Sequence, residues 1–301
     1  MAIDRVSDSQ AFALLGSRVS SLQAAIRDLT DQIGSGQRFT RPEQDPLGAG
    51  QVVRYAGELS SLAGFTETTS FGREVLGVED QALGDAYNIM VRAEEIATQQ
   101  ANGTLSAQDR LASREEVHGL LESLTSTGNT EFLGRRVFAG LAQDVPAPFA
   151  DPNGAGYNAA TAFVGSTQEF SVKIGSTSAE RVRVTTRGDQ VFTTALTALQ
   201  GLENTLATNG NAAGDLTALA QGRAEIANER TSVGARGAQL DERKTQVAGL
   251  TETVTAARSG VQDADLVSTI SALTQAQTAL QAMLQAGSLT LQTSLANLLQ
   301  V

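Results

Sequence analysis

All five prolines fall in two clusters, Pro42 with Pro46, then Pro146 with Pro148 and Pro152. The stretches 47–145 and 153–301 contain none. Proline inside a helix removes a backbone donor and clashes with the preceding turn. Two long proline-free stretches, rich in Ala, Leu, Gln, Glu and Arg, therefore read as long helices broken at two places.

The ends carry the clearest periodicity. Phe12, Leu15, Val19, Leu22, Ile26, Leu29 and Ile33 alternate spacings of three and four, an a/d repeat over three heptads. Gly34-Ser35-Gly36 stops this helix. At the other end Leu266, Ile270, Leu273, Leu280, Leu284, Leu291 and Leu298 fall on one alternating register. Gln277, Gly287 and Ser294 fill its remaining slots, which points to close helix approach or a specified register. Asp263 or Asp265 can cap its start.

Between the ends, the apolar spacing predicts helix from 47 to about 101, broken at Asn102-Gly103. Ser106 can cap a second run to about 127. Segments 194–207 and 216–258 read as helical, with a Gly- and Asn-rich turn between them. From Pro146 to Val191 the pattern changes. Phe170, Val172 and Ile174 alternate with polar residues, residues 175–179 turn, and Val182 and Val184 alternate again, which is a β-hairpin signal. About 45 residues bury no self-sufficient core, so this segment reads as an insertion carried by helices.

The net charge is −11 and the pI about 4.6, which disfavours nucleic acid and acidic membranes as partners. No stretch approaches the length of a membrane-spanning helix. Aromatics are 4% and Trp is absent, a composition suited to thin helix-on-helix packing. Cysteine is absent, so stability rests on packing alone. The N-terminus has no basic segment followed by an apolar run, so no cleavable secretory signal is expected. Of the twenty-two basic residues only Lys173 and Lys244 are lysine. Arginine forms bidentate pairs with carboxylates and suits contacts between subunits.

Catalytic and metal sites find little support. His118 is the only histidine, which rules out a multi-His site within one chain and leaves it best read as a polar position on a solvated helix face. The glycines of 34–36 lack the Lys-Ser/Thr of a phosphate loop and follow a helix. Asp263 and Asp265 lack the rest of a calcium loop. Arg187-Gly188-Asp189 could be an adhesion tripeptide, yet it sits where a hairpin ends before a helix. The expectation is a non-enzyme with no cofactor.

Three segments together resemble one family. The first is the N-terminal heptad helix followed by Arg38, Arg41, Pro42, Asp45, Pro46 and Gly48 in the order Arg-Pro-x-x-Asp-Pro-x-Gly. The second holds Asn129, Phe132, Gly134, Phe138, Gly140, Pro148 and Phe149 at the entrance to the insertion. The third runs from Asp263 through Leu280 and Leu295 to Leu298. In this order they resemble the flagellin superfamily, and the turn is more similar to its hook–filament junction branch than to flagellin itself. Glu43-Gln44 departs from the acidic or Ser-Asp pair usual in that branch.

The resemblance implies a mainly α fold: a folded-back rod of long helices with paired N- and C-terminal helices, plus a small β-rich insertion domain mid-chain. The expected divisions are 1–45 with 262–301 for terminal assembly helices, 46–140 with 192–261 for the helical rod, and 141–191 for the insertion. It implies a structural adaptor whose apolar stripes, Leu291 and Leu295 included, form an assembly interface. The implied partners are hook-associated protein 1, flagellin, further copies of the chain in a ring or helical layer, and a flagellar export chaperone. Export through the flagellar channel to the extracellular flagellum follows from the same resemblance. A minor flagellin is the nearest alternative. A soluble signalling coiled coil is a remote one, because its working tip would be helical mid-chain.

Overall fold

The computed structural model describes residues 2–101, 106–142, 147–177 and 179–299. The chain is mainly α, with α1 (Ala2–Ser35), α2 (Pro46–Ala101), α3 (Ala107–Gly128), α4 (Gly188–Ala207), α5 (Leu216–Gln262) and α6 (Leu266–Leu299). Four short strands, β1 (Glu131–Phe132), β2 (Arg135–Arg136), β3 (Ser171–Lys173) and β4 (Arg181–Arg183), and two single-turn 3-10 helices, Ala159–Thr161 and Ala212–Gly214, complete the described elements. Two compact units result, residues 1–60 with 251–301, and residues 61–250.

In the first unit α1 lies along α6. Gly36, at φ +69°, ends α1 with its amide on the Gln32 carbonyl. The break before α6 then pairs with the turn after α1. The Arg38 amide donates to the Gln262 carbonyl at 2.7 Å, and the Ala264 amide to that of Gly36 at 2.9 Å. Asp265 caps α6 as expected, its Oδ1 accepting the amides of Val267 and Ser268 at 3.0 and 3.3 Å.

The second unit is organised by a seven-residue repeat that apolar counting did not reveal. On α2, Leu62, Thr69, Leu76, Leu83, Met90 and Ala97 are all buried, each seven residues from the last. On α5, Leu219, Ile226, Val233, Leu240 and Val247 do the same. The repeat escapes a hydrophobicity count because Thr69, and Glu79 on a neighbouring column, occupy buried positions. Arg73, Asp80, Tyr87 and Glu94 form a further column spaced by seven. They meet Asp241, Arg230, Arg223 and Arg223 of α5 at 3.1, 2.9, 3.1 and 2.7 Å. Arginines expected to serve contacts between subunits are here engaged within one chain. The Arg73–Asp241 and Arg230–Asp80 pairs are about half exposed, so they contribute register more than stability.

Ser106 caps α3 in a capping box with Asp109. The expected hairpin forms between β3 and β4, with Val172 opposite Val182. Phe149, Val172, Val182 and Val184 share one core with residues of α2, α3, α4 and α5. α4 begins at Gly188, earlier than the apolar pattern at 194 suggested. Arg187 precedes it and grips Asp189 through two contacts of 3.2 and 2.6 Å, and Gly188 is buried, so the tripeptide is a helix start folded onto itself.

Candidate assembly surface

On α1 the stripe read from sequence is the stripe that packs. Leu15, Val19, Leu22, Ile26, Leu29 and Ile33 are half-buried, and apart from Gln32 every other position from 13 to 35 is exposed. The side chains of Phe12, Leu291, Leu295 and Leu298 lie outside the described residues.

α6 corrects the sequence register by one position. Leu273, Leu280 and Gly287 face inward as expected, but their companions are Thr269, Ala272, Ala276 and Met283. Leu266, Ile270 and Leu284, placed on the same seam from sequence, are exposed at 45, 52 and 54%. The reason is steric. Weighting Leu above Ala draws the seam through leucines, whereas two helices approach more closely over Ala and Gly. A Cβ at position 287 would lie 2.8 Å from Leu15 Cδ2. The outcome is a helix with two apolar faces, one against α1 and one uncovered in the single chain.

The turn residues converge on Asp45. Its Oδ1 accepts the Gly48 amide at 2.8 Å, capping α2 with Pro46 at the first helical position. Its Oδ2 takes the Arg38 guanidinium at 2.7 Å. The Gly48 amide and then Arg38 hold this carboxyl below its ordinary range. Gly48 is buried, and a Cβ there would lie 2.5 Å from Asp45 Oδ2 and 2.9 Å from the ring of buried Phe39. Arg41 reaches Asp28 and Glu43 only at 3.9 and 3.8 Å, both exposed, and Pro42 is exposed. Gln44, where the sequence departs from its family, closes the loop: its Oε1 accepts the amides of Thr40 and Arg41 at 2.9 and 3.1 Å.

At the insertion boundary Asn129 acts as a substitute strand. Its Oδ1 accepts the Phe149 amide at 2.8 Å, and its Nδ2 donates to the Phe149 carbonyl at 3.0 Å. Leu133 and Gly134, both at positive φ, form the two-residue turn joining β1 to β2, which lies beside half-buried Phe132. Phe138 and Phe149 are buried against Phe192, with centroids 4.8 and 5.6 Å apart, and Phe163 meets Phe149 at 5.3 Å. Gly140, at φ +63°, leaves no room for a side chain beside the Ser166 and Gln168 carbonyls. Buried Pro148 supplies the carbonyl that holds the Val164 amide. Sequence reading missed Phe163 and Phe192, which belong to no local motif and meet the others only in three dimensions.

His118 departs from a plain solvated position. Its Nε2 lies 3.1 Å from Asn153 Oδ1 and its Nδ1 3.2 Å from Glu203 Oε1. Among the described residues no group of three or more His, Cys, Asp and Glu side chains could hold a metal. No described helix is long and apolar enough to cross a membrane.

A chain whose N- and C-terminal helices pair, with turn, boundary and hairpin motifs placed in this order, is similar in fold to flagellar hook-associated proteins of solved structure. Residues 6–143 match the family model of the bacterial flagellin N-terminal helical region. Hook-associated protein 3 of Salmonella typhimurium is 28% identical over 155 residues, 51% of this chain and 48% of that protein. The chain thus spans about half the length of that curated relative. Flagellin of Bacillus subtilis is 25% identical over 269 residues, 86% of each chain. A solved structure of a flagellar hook-associated protein from Vibrio parahaemolyticus, 17% identical, superposes with a TM-score of 0.65 over 73% of this chain and 100% of that one. In sequence and fold the chain is flagellin-like, and its likeness extends to hook-associated protein 3.

Proposed function

We propose that this chain is a non-enzymatic structural adaptor of the bacterial flagellum, joining the hook to the flagellin filament. Its neighbours in that role are hook-associated protein 1 on one side, flagellin on the other, and further copies of itself in a ring or helical layer. It reaches the flagellum through the export channel, escorted by an export chaperone. The observation that carries this reading is the uncovered apolar face of the first unit. Leu266, Val267, Ile270, Leu284 and Leu289 of α6 are exposed, while the opposite face of the same helix is already engaged by α1. Large apolar side chains arrayed on a helix paired on one side only are what a subunit needs to build a tube. The likeness to hook-associated protein 3 supports the junction as the place where they are used.

The second reading, a minor flagellin, draws on the match to the Bacillus subtilis protein along most of both chains. Filament seeds separate the two. Purified chain added to seeds is expected to bind their ends without elongating them, and long filaments in electron micrographs would favour flagellin. Deleting the gene is expected to leave hooks bare of filament. Normal filaments in that strain would overturn the adaptor reading.

A further inference from the structure

The most enclosed ionisable side chain among the described residues of the second unit is Glu79 of α2, with no exposed surface. It faces Thr186, in the link between β4 and α4. Glu79 Oε1 accepts the Thr186 amide at 2.7 Å, and Oε2 lies 3.0 Å from the Thr186 hydroxyl. The same hydroxyl lies 2.9 Å from Glu229 Oε1 of α5 and 3.1 Å from Arg236 Nη2, also of α5. Glu229 in turn takes Arg236 and, at 3.2 Å, Arg183 of β4, which also pairs with Glu169 ahead of β3. These are the charged groups that each packed element presents to the site.

Only one form of Glu79 satisfies all of these contacts. A threonine hydroxyl has one proton to give and two lone pairs to offer. Arg236 donates into one lone pair. Two carboxyl oxygens then compete for one hydrogen. If Glu79 is ionised, one of the two oxygens faces the hydroxyl with no proton between them, in a buried setting where that is costly. If Glu79 is protonated, it donates to the second lone pair of Thr186, and Thr186 donates to Glu229. Every one of these contacts is then a hydrogen bond. Among the described residues no arginine hydrogen-bonds Glu79; Arg236 spends Nη2 on Thr186 and Glu229, and its Nη1 is buried there without a hydrogen-bond partner.

We propose that Glu79 holds a resident proton, and that Glu79, Thr186, Glu229 and Arg236 form a proton-operated clamp fixing the end of β4 onto α2 and α5. Burial, its largest cause, pushes the Glu79 carboxyl up to about 8, against an ordinary value of 4.5 in the unfolded chain. The folded state therefore keeps a proton that the opened state releases. The clamp is tightest below about pH 4.5, weakens as pH rises to about 8, and is level beyond it.

The test compares the full chain with Glu79→Gln, whose amide accepts from the Thr186 N–H and donates to its hydroxyl as the neutral acid does. Amide exchange of residues 181–187, corrected for intrinsic rates, reports the opening constant. In the wild type it is expected to rise about tenfold per pH unit between pH 5 and 8, the limit for one linked proton. In Glu79→Gln it is expected to stay flat. A carbon-13 titration of the Glu79 carboxyl in the wild type, which needs no variant to fold, is expected to show its midpoint in the alkaline range. A midpoint in the ordinary carboxylate range, or the same pH slope in both proteins, overturns the clamp.

Discussion

Leu15 of α1 sits over Gly287 of α6, so close that a Cβ on Gly287 would be 2.8 Å from Leu15 Cδ2. This contact joins the two ends of the chain across 272 residues of sequence separation.

Substitution at Gly287 therefore tests the seam directly. Alanine gains up to about 1 kcal/mol of helix propensity over glycine. Its methyl meets only the tip of a flexible leucine, which can rotate away. Gly287→Ala is expected to leave α1–α6 pairing intact, with helicity by circular dichroism equal to or above that of the parent. Gly287→Phe cannot be accommodated by one rotamer change and is expected to part the helices. Amide exchange over residues 13–33 and 266–287 would then accelerate. Equal exchange in the phenylalanine variant would show that the two helices do not rely on this approach.

Asn129 carries a heavier structural duty than its polarity suggests. Removing its side chain leaves both the amide and the carbonyl of Phe149 without their partners in a partly buried place. Each unsatisfied group costs about 1–3 kcal/mol. Asn129→Ala is expected to destabilise the second unit by about 2–5 kcal/mol in urea unfolding. Asn129→Asp keeps the acceptor and loses the donor, so it is expected to fall between alanine and the parent. A ranking with aspartate below alanine would contradict the assigned roles.

At the turn, Asp45 links stability to acid. Its carboxyl is held low by the Gly48 amide and by Arg38, so the folded state favours the ionised form. The stabilisation is present above the ordinary carboxylate value and is lost as pH falls through the lower folded one. Asp45→Asn keeps a capping oxygen and removes the charge; Asp45→Ala removes both. The expected order of stability at neutral pH is parent, asparagine, alanine. On acidification the parent is expected to lose its advantage over Asp45→Asn, as thermal melts across acidic pH would record.

Much of this architecture is written locally, and that part was legible. Proline clusters locate the breaks, Ser106 and Asp265 cap the helices assigned to them, and the α1 stripe packs as spaced. What was not legible depends on competition between faces. α6 carries leucines and alanines on adjacent stripes, and only the shape of α1 decides which is inward. The α2 repeat hides because Thr69 interrupts its apolar column and Glu79 occupies a buried place on the next, where Thr186 takes both of its oxygens. Gln44 is readable in hindsight, as a side chain long enough to reach two amides of its own loop.

His118, the sole histidine, offers the simplest titration in the molecule. The Asn153 amide nitrogen donates to Glu122 at 2.5 Å, which leaves the Asn153 oxygen facing His118 Nε2. That nitrogen must then carry a hydrogen. Nδ1 faces a carboxylate oxygen of Glu203, which is also an acceptor. Only the doubly protonated ring suits both neighbours. The hydrogen bond to Asn153 is the largest influence and raises the histidine above its ordinary value of 6.5; burial, next in size, opposes it, and Glu203 and then Glu122 add to the upward shift. Because the folded value is the higher one, this stabilisation is complete below the unfolded value and fades as pH rises through the folded one. A proton NMR titration of the ring is expected to give a midpoint above 6.5 in the parent. Glu203→Gln, which removes the charge and keeps the size, is expected to move it down. A midpoint at or below the ordinary value, or one indifferent to Glu203, would mean that the ring is neutral, keeping its Nε2 hydrogen for Asn153 and forming no ion pair with Glu203.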